Sequence, residues 1–438
     1  MNYMTKKKET YLWNAIDGIV SASFVLLIGK IIQFFFLLKL AFVIDQNQLV
    51  MFFSALAIGQ VFGIIIIPGG QQGLTALIAK AVSQNDSGTF RSIFWMSIVM
   101  FLCFVLLLIV MAILSKYINF LDVLYKNILY FLVVLIGVFS ILRSAVTRGC
   151  GFIFKSLFYI EVAAPFVLLI LLHTAQSLFD IIPFSVIWFA AYLTFELISI
   201  YVCKEPIINL LNGPKVNLLL PKIKIKHLLT NQISNTFMLA VVRLDVVLLA
   251  AISGPSVAAP YILVNKFVQP ITLIARVLSN STATMIAQTF AKGNVKESNR
   301  LTFLGFLYVL ISLFTVFILI YFSFEYLRNY FDSKYDLTYE VFFYLTVAYV
   351  FMSLGAPFSQ NLIMTNKAHY LLVIHMVAFI VFYGLVFVSR DNMSADTMAK
   401  FIFALMSFVF IASLTTYILI YWKKNLNKIT NLNKNVQK

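Results

Sequence analysis

Charge is scarce in this chain. Of 438 residues only 11% are charged, where a soluble domain carries roughly 25%. Cysteine is nearly absent, and Cys103, Cys150 and Cys203 lie in or beside apolar segments at no metal-ligand spacing. That excludes a disulfide framework. The four histidines, His173, His227, His369 and His375, show neither metal spacing nor a partner nucleophile. No phosphate-binding loop or catalytic dyad can be read. Without these the chain reads as a non-enzyme that uses no ATP itself and calls for no cofactor and no metal. The run after Lys6, Lys7 and Lys8 extends from about 16 to 44 without a small-residue cleavage site. It is too long for a signal peptide and reads as a first, uncleaved membrane helix.

What the chain does have is apolar length. It is 61% hydrophobic, with a mean hydropathy of +0.94. Segments long enough to span a bilayer, at about 20 residues each, lie near 16–44, 49–67 continuing to 80, 92–114, 121–147, 152–173, 181–203, 228–252, 259–291, 301–323, 338–364, 369–389 and 398–422. That count predicts an all-α integral membrane protein of twelve spans. Its expected parts are a six-helix bundle over 1–203, a linker over 204–227, a second six-helix bundle over 228–422 and a basic tail over 423–438. Two stretches, IAKAVSQNDSGTFR (78–91) and IAQTFAKGNVKESNR (286–300), end over-long second and eighth spans. A parallel repeat of this kind has a pseudo-twofold along the membrane normal and a substrate site between its halves.

The net charge of +16 has a topological explanation rather than nucleic acid. Lysine and arginine gather in alternate loops, at Lys80, Arg91, Arg148, Lys155, Lys204, Lys222, Lys292, Lys296, Arg300, Lys367 and Lys423. The opposite loops hold only Lys116, Lys126, Arg328, Lys334 and Arg390, mixed with aspartates. The positive-inside bias puts the basic set and both termini in the cytoplasm.

Several polar side chains fall inside the apolar segments, where an ionised group is costly and nearly always faces protein or a water-filled cavity. The stretch from Arg243 to Lys292 reads as two spans joined by a tight Ser253-Gly254-Pro255 turn. On a helical period, Lys266, Gln269, Thr272, Arg276, Asn280 and Thr284 cover roughly 120° of arc. They form one polar stripe on one helix, expected to wall a cationic cavity, with a kink at Pro270. Arg243 and Asp245 are two apart, hence on nearly opposite faces, so Asp245 is expected to neutralise a cation on a neighbouring helix. Lys30 lies near mid-depth with Gln33 on the same side and is a further cavity candidate. Glu161 is either a coupling carboxylate or a partner of Arg143, Arg148 or Lys155. Pro68-Gly69-Gly70 interrupts the second segment, where freed backbone groups need new partners.

Twelve spans in two halves, over-long second and eighth helices and intramembrane cations resemble the Wzx-type polysaccharide-unit flippases of the multidrug/oligosaccharidyl-lipid/polysaccharide (MOP) exporter superfamily. The letters that carry the resemblance are Gly29-Lys30, Gly73 with Ile78-Ala79-Lys80, Arg243-Leu244-Asp245 and Tyr261. Ala259-Pro260 departs from the glycine that often precedes that tyrosine. The resemblance implies a MATE-like fold in the bacterial inner membrane. It also implies a substrate, an undecaprenyl-pyrophosphate-linked oligosaccharide such as an O-antigen unit, moved between leaflets by alternating access. Lys30, Lys266 and Arg276 are then headgroup contacts, with Arg243, Gln269 and Asn280 beside them. A polysaccharide polymerase and a chain-length regulator are the partners implied. Two alternatives stay open: a cation-coupled multidrug exporter of the same fold, which needs a buried carboxylate, and a membrane-embedded O-antigen polymerase, which tends to carry a long external loop.

Overall fold

A computed structural model describes residues 24–67, 70–83, 86–115, 128–150, 152, 157–174, 183–212, 225–273, 275, 286, 289–290, 294–331, 334–365 and 367–436. In chain order the first seven helices are α1 (Phe24–Val43), α2 (Gln46–Ile66), α3 (Gly70–Ser83), α4 (Ser87–Ser115), α5 (Ile128–Gly149), α6 (Ala164–Thr174) and α7 (Phe184–Val202). A π-helical turn, Phe158–Ala163, leads directly into α6. There follow α8 (Lys204–Asn212), α9 (Ile225–Ser253), α10 (Pro255–Val268), α11 (Val295–Phe331), α12 (Tyr339–Met364), α13 (Ala368–Val388) and α14 (Ala395–Val436).

Among the described residues ten helices are long and apolar enough to cross a membrane, and Phe158–Thr174 is a shorter apolar helix. The remaining expected span begins with α10 and runs into residues outside the described set. The apolar side chains left outside agree with a lipid solvent: on α11, Ile311, Phe314 and Phe322 are each at least two-thirds exposed. The basic tail continues α14 without interruption to Val436.

The chain divides into two compact units, Met1–Phe267 with Met393–Ala395, and Val268–Asn392 with Asp396–Lys438. By contacts, α9 and most of α10 therefore pack with the first unit. In that unit α2 lies almost backbone to backbone on α5. A Cβ on Gly59 would stand 2.8 Å from the Val134 carbonyl oxygen, and one on Gly137 would stand 3.3 Å from the Gly59 Cα. Gly59 and Gly63, four apart on one face of α2, are the small residues that permit such an approach. Leu74, Ile78, Phe90, Ile93 and Ala145 close the core between α3, α4 and α5. In the second unit Thr338 caps α12 through the Val341 N–H (3.3 Å) and donates to Asp396 at the start of α14 (3.0 Å).

The interruption in the second expected span is real: α2 ends at Ile66 and α3 begins at Gly70. Proline at 68 has no N–H to give the Ile64 carbonyl. Gln232 of α9 supplies the missing donor, with its Nε2 at 3.3 Å from Ile64 O and 2.6 Å from Ile65 O.

Candidate functional site

The α9–α10 corner is built as its sequence suggests. Gly254 has φ +84, and Pro255 opens α10. A left-handed residue followed by a proline at the first helical position reverses the chain within one residue. The reversal lays α10 along α9, so that Tyr261 and Asn265, four apart, both face Asp245. The carboxylate is 1% exposed. It accepts hydrogen bonds from the Tyr261 hydroxyl at 2.5 Å, the Asn265 amide at 3.1 Å and the Val246 N–H at 2.8 Å.

That corner and α2 enclose a recess lined by Phe53, Ala57, Gln60, Val242, Arg243, Asp245, Val246, Asn265 and Lys266. Its cavity volume is about 10 Å³, room for about one water molecule and far below the roughly 300–1,000 Å³ of a drug-sized ligand site. It marks where charge gathers, not a seat for a cargo. The Lys266 ammonium stands 5.0 Å from the centroid of the Phe53 ring, a cation–π contact. Two cations and one carboxylate line this small volume, and the carboxylate's hydrogen bonds go to neutral donors. Asp245 was expected to neutralise a cation on a neighbouring helix; Lys266 of α10 and Arg243 of its own helix both act on it through space, with no direct bond among the described residues. Arg243 and Asp245 also share one recess although they leave α9 in different directions.

A second polar cluster joins α1 to the π-helical turn. The Lys30 ammonium donates to Gln33 Oε1 at 2.5 Å and lies 3.3 Å from Glu161 Oε2. Gln33 Nε2 in turn donates to Glu161 Oε2 at 2.8 Å and to the Glu161 carbonyl at 3.3 Å. That carbonyl belongs to the π-helical turn, whose bonds run five residues on, as from the Ala164 N–H to the Tyr159 carbonyl. Gly29 lies flush against the same turn, where a Cβ would meet Glu161 O at 2.6 Å. Of the two roles weighed for Glu161, an ion pair is observed, and Lys30 is a partner; Lys155 lies outside the described residues. Arg143 bonds instead to Glu196, with side chains 2% and 0% exposed, in a sealed α5–α7 pair.

The polar stripe from Lys266 onward is not on one continuous helix. α10 ends at Val268, and residues 269–270 form a turn, with the Gln269 carbonyl accepting from Thr272 N at 3.0 Å. Pro270, which cannot donate back to Lys266, explains the break, so the helical projection used for the stripe fails beyond it. Gln269 therefore leaves the chain from a turn. Arg276 and Asn280 lie outside the described residues. Sequence reasoning missed Gln60 and Asn265. Asn265 was findable, one turn after Tyr261 on the face that meets Asp245; Gln60 had no local signal.

No family model matches this sequence, and no curated protein matches it. Solved structures do. A Vibrio cholerae MATE transporter, VcmN, in a point-mutant form is similar over 95% of this chain and 99% of its own, at 13% identity and a TM-score of 0.63. A MATE transporter in complex with MaL6 is similar over 94% and 96%, at 14% identity and TM-score 0.60. An inward-facing multidrug resistance MATE transporter of the MOP superfamily is similar over 95% and 99%, at 14% identity and TM-score 0.58. The likeness shows the fold. This is an all-α, multi-pass membrane protein with the twelve-helix, two-lobe fold of MATE transporters.

Proposed function

We propose that the protein is a flippase for a lipid-linked oligosaccharide, moving an undecaprenyl-pyrophosphate-linked repeat unit, such as an O-antigen unit, from the inner to the outer leaflet. The observation that supports this reading most is the recess. Arg243 and Lys266 line it together, while the one carboxylate among its lining residues has its hydrogen bonds taken by Tyr261, Asn265 and Val246. A recess with surplus positive charge attracts an anion and repels a cationic drug. Arginine offers a planar fork to a phosphate and lysine a mobile point charge. The diphosphate is drawn to the two cations at the mouth of this recess, and the polyprenyl tail stays in lipid. Lys30, Gln269, Arg276 and Asn280 are proposed as further headgroup contacts, and alternating access carries the head across. The same reading puts the chain in the bacterial inner membrane with both termini in the cytoplasm, beside a polysaccharide polymerase and a chain-length regulator.

Deleting the gene tests the reading. The expected phenotype is loss of surface polysaccharide with lipid-linked units trapped on the cytoplasmic face, restored by the wild-type gene but not by one carrying Arg243→Ala and Lys266→Ala together. Unchanged polysaccharide with raised sensitivity to cationic dyes would place the protein among cation-coupled drug exporters. Single units on finished outer-membrane lipid would indicate a polymerase.

A further inference from the structure

We propose that Glu161 is a built-in competitor for Lys30, which reserves this lysine for polyanionic heads and turns away singly charged ones. The inference rests on the anionic-cargo reading above and names what would select the cargo.

The geometry separates what is fixed from what moves. The Glu161 backbone is fixed by Gly29, flush against it, and by Gln33, which donates to its carbonyl. Its carboxylate is held by Gln33 Nε2 at 2.8 Å, a tight contact made without help from Lys30. Gln33 can present its amide only one way here, oxygen toward the ammonium and nitrogen toward the carboxylate. Lys30, by contrast, lies 3.3 Å from the carboxylate and is held by the uncharged Gln33 Oε1 at 2.5 Å. Its distance to the carboxylate is beyond the roughly 2.7–2.9 Å of a strong charge-assisted bond. When the ammonium swings away, the carboxylate keeps the Gln33 donor, so separation leaves no orphaned acid. The two side chains are 20% and 23% exposed, within reach of a ligand, unlike the sealed Arg143–Glu196 pair. The cluster also adjoins the recess wall: Phe34, next to Gln33, packs on Phe267, next to Lys266, with ring centroids 5.6 Å apart.

A carboxylate beside Lys30 already supplies one negative charge. A monoanion that displaces it exchanges like for like and gains little. A diphosphate brings more charge and more acceptor oxygens, and it wins the exchange. Selectivity then comes from the difference between two affinities, set by an internal rival rather than by a pocket's shape.

The full-length protein in nanodiscs is titrated with inorganic pyrophosphate and, separately, with dimethyl phosphate, a phosphate that carries one negative charge. Wild type is expected to prefer pyrophosphate by about tenfold or more. Glu161→Gln, isosteric and uncharged, is expected to tighten dimethyl phosphate by about fivefold and pyrophosphate by less, so that the preference shrinks. Glu161→Asp, which withdraws the charge by one methylene, should fall between the two and reports the effect if the glutamine variant does not insert. In a Lys30→Gln background the gain should vanish, as it must if Glu161 acts through Lys30. An unchanged preference in both Glu161 variants, with Lys266→Ala still weakening pyrophosphate, overturns the competitor role and leaves the anionic-cargo reading standing. Absence of pyrophosphate binding in wild type and Glu161→Gln alike overturns that reading and the competitor with it.

Discussion

Asp245 is the deepest carboxylate of the recess, and its three hydrogen bonds decide what it does. With Tyr261, Asn265 and its neighbour's N–H all donating to it, the group is a fixed acceptor that ties α9 to α10 and so sets where Arg243 and Lys266 stand. Replacing the hydroxyl in Tyr261→Phe removes one donor from a buried acid, at a cost of about 1–3 kcal/mol. A fall in thermal stability in detergent, with transport lost in proportion to folded protein, is the expected result. Normal stability with transport abolished would mean that Tyr261 touches cargo instead. Glu161 differs at this same scale, being partly open and paired with a cation that can leave.

At the scale of helices, two irregular turns are bridged alike. Pro68 has no N–H for the Ile64 carbonyl, and the Glu161 carbonyl belongs to a π-helical turn. In each case a glutamine from another helix donates to that carbonyl, Gln232 in one and Gln33 in the other. The π-helical turn lay inside a segment read as one span, but the break at Pro68 was legible in sequence, as was the Gly254-Pro255 corner, because proline and glycine act on the backbone locally. The bridges were not, since a glutamine carries no mark of which distant carbonyl it will meet. For the same reason Lys30 was a candidate from the outset, while the partner of Glu161, 131 residues away, was sought among nearer cations. The polar stripe failed where Pro270 ended the period on which it was drawn. Helix contact also yields a prediction. Gly59→Val would drive a side chain into the Val134 backbone, 2.8 Å from the ideal Cβ, which cannot rotate aside. Separation of α2 from α5 should cost about 1–3 kcal/mol, seen as a lowered melting point in detergent, whereas an exposed Leu27→Val on α1 should change little.

For the whole molecule, apolar length and loop charge set the class from sequence, and the likeness to MATE transporters agrees with it. The orientation is open to a direct check in a cysteine-free background lacking Cys103, Cys150 and Cys203. A cysteine replacing Lys296 should react with a membrane-impermeant maleimide only in inverted vesicles, and one replacing Asp391 only in intact spheroplasts. The reverse pattern would invert the topology and the direction of transport. Cargo is the central matter, and the charge of the recess is the feature on which the proposed function rests. The most direct measurement is leaflet exchange in proteoliposomes made with the purified protein and a fluorescent polyprenyl-diphosphate oligosaccharide. The expected result is rapid loss of leaflet asymmetry with wild type, slowed at least about tenfold by Arg243→Ala with Lys266→Ala. An unmoved lipid in vesicles where the same protein expels a cationic dye would contradict the cationic recess as the seat of transport.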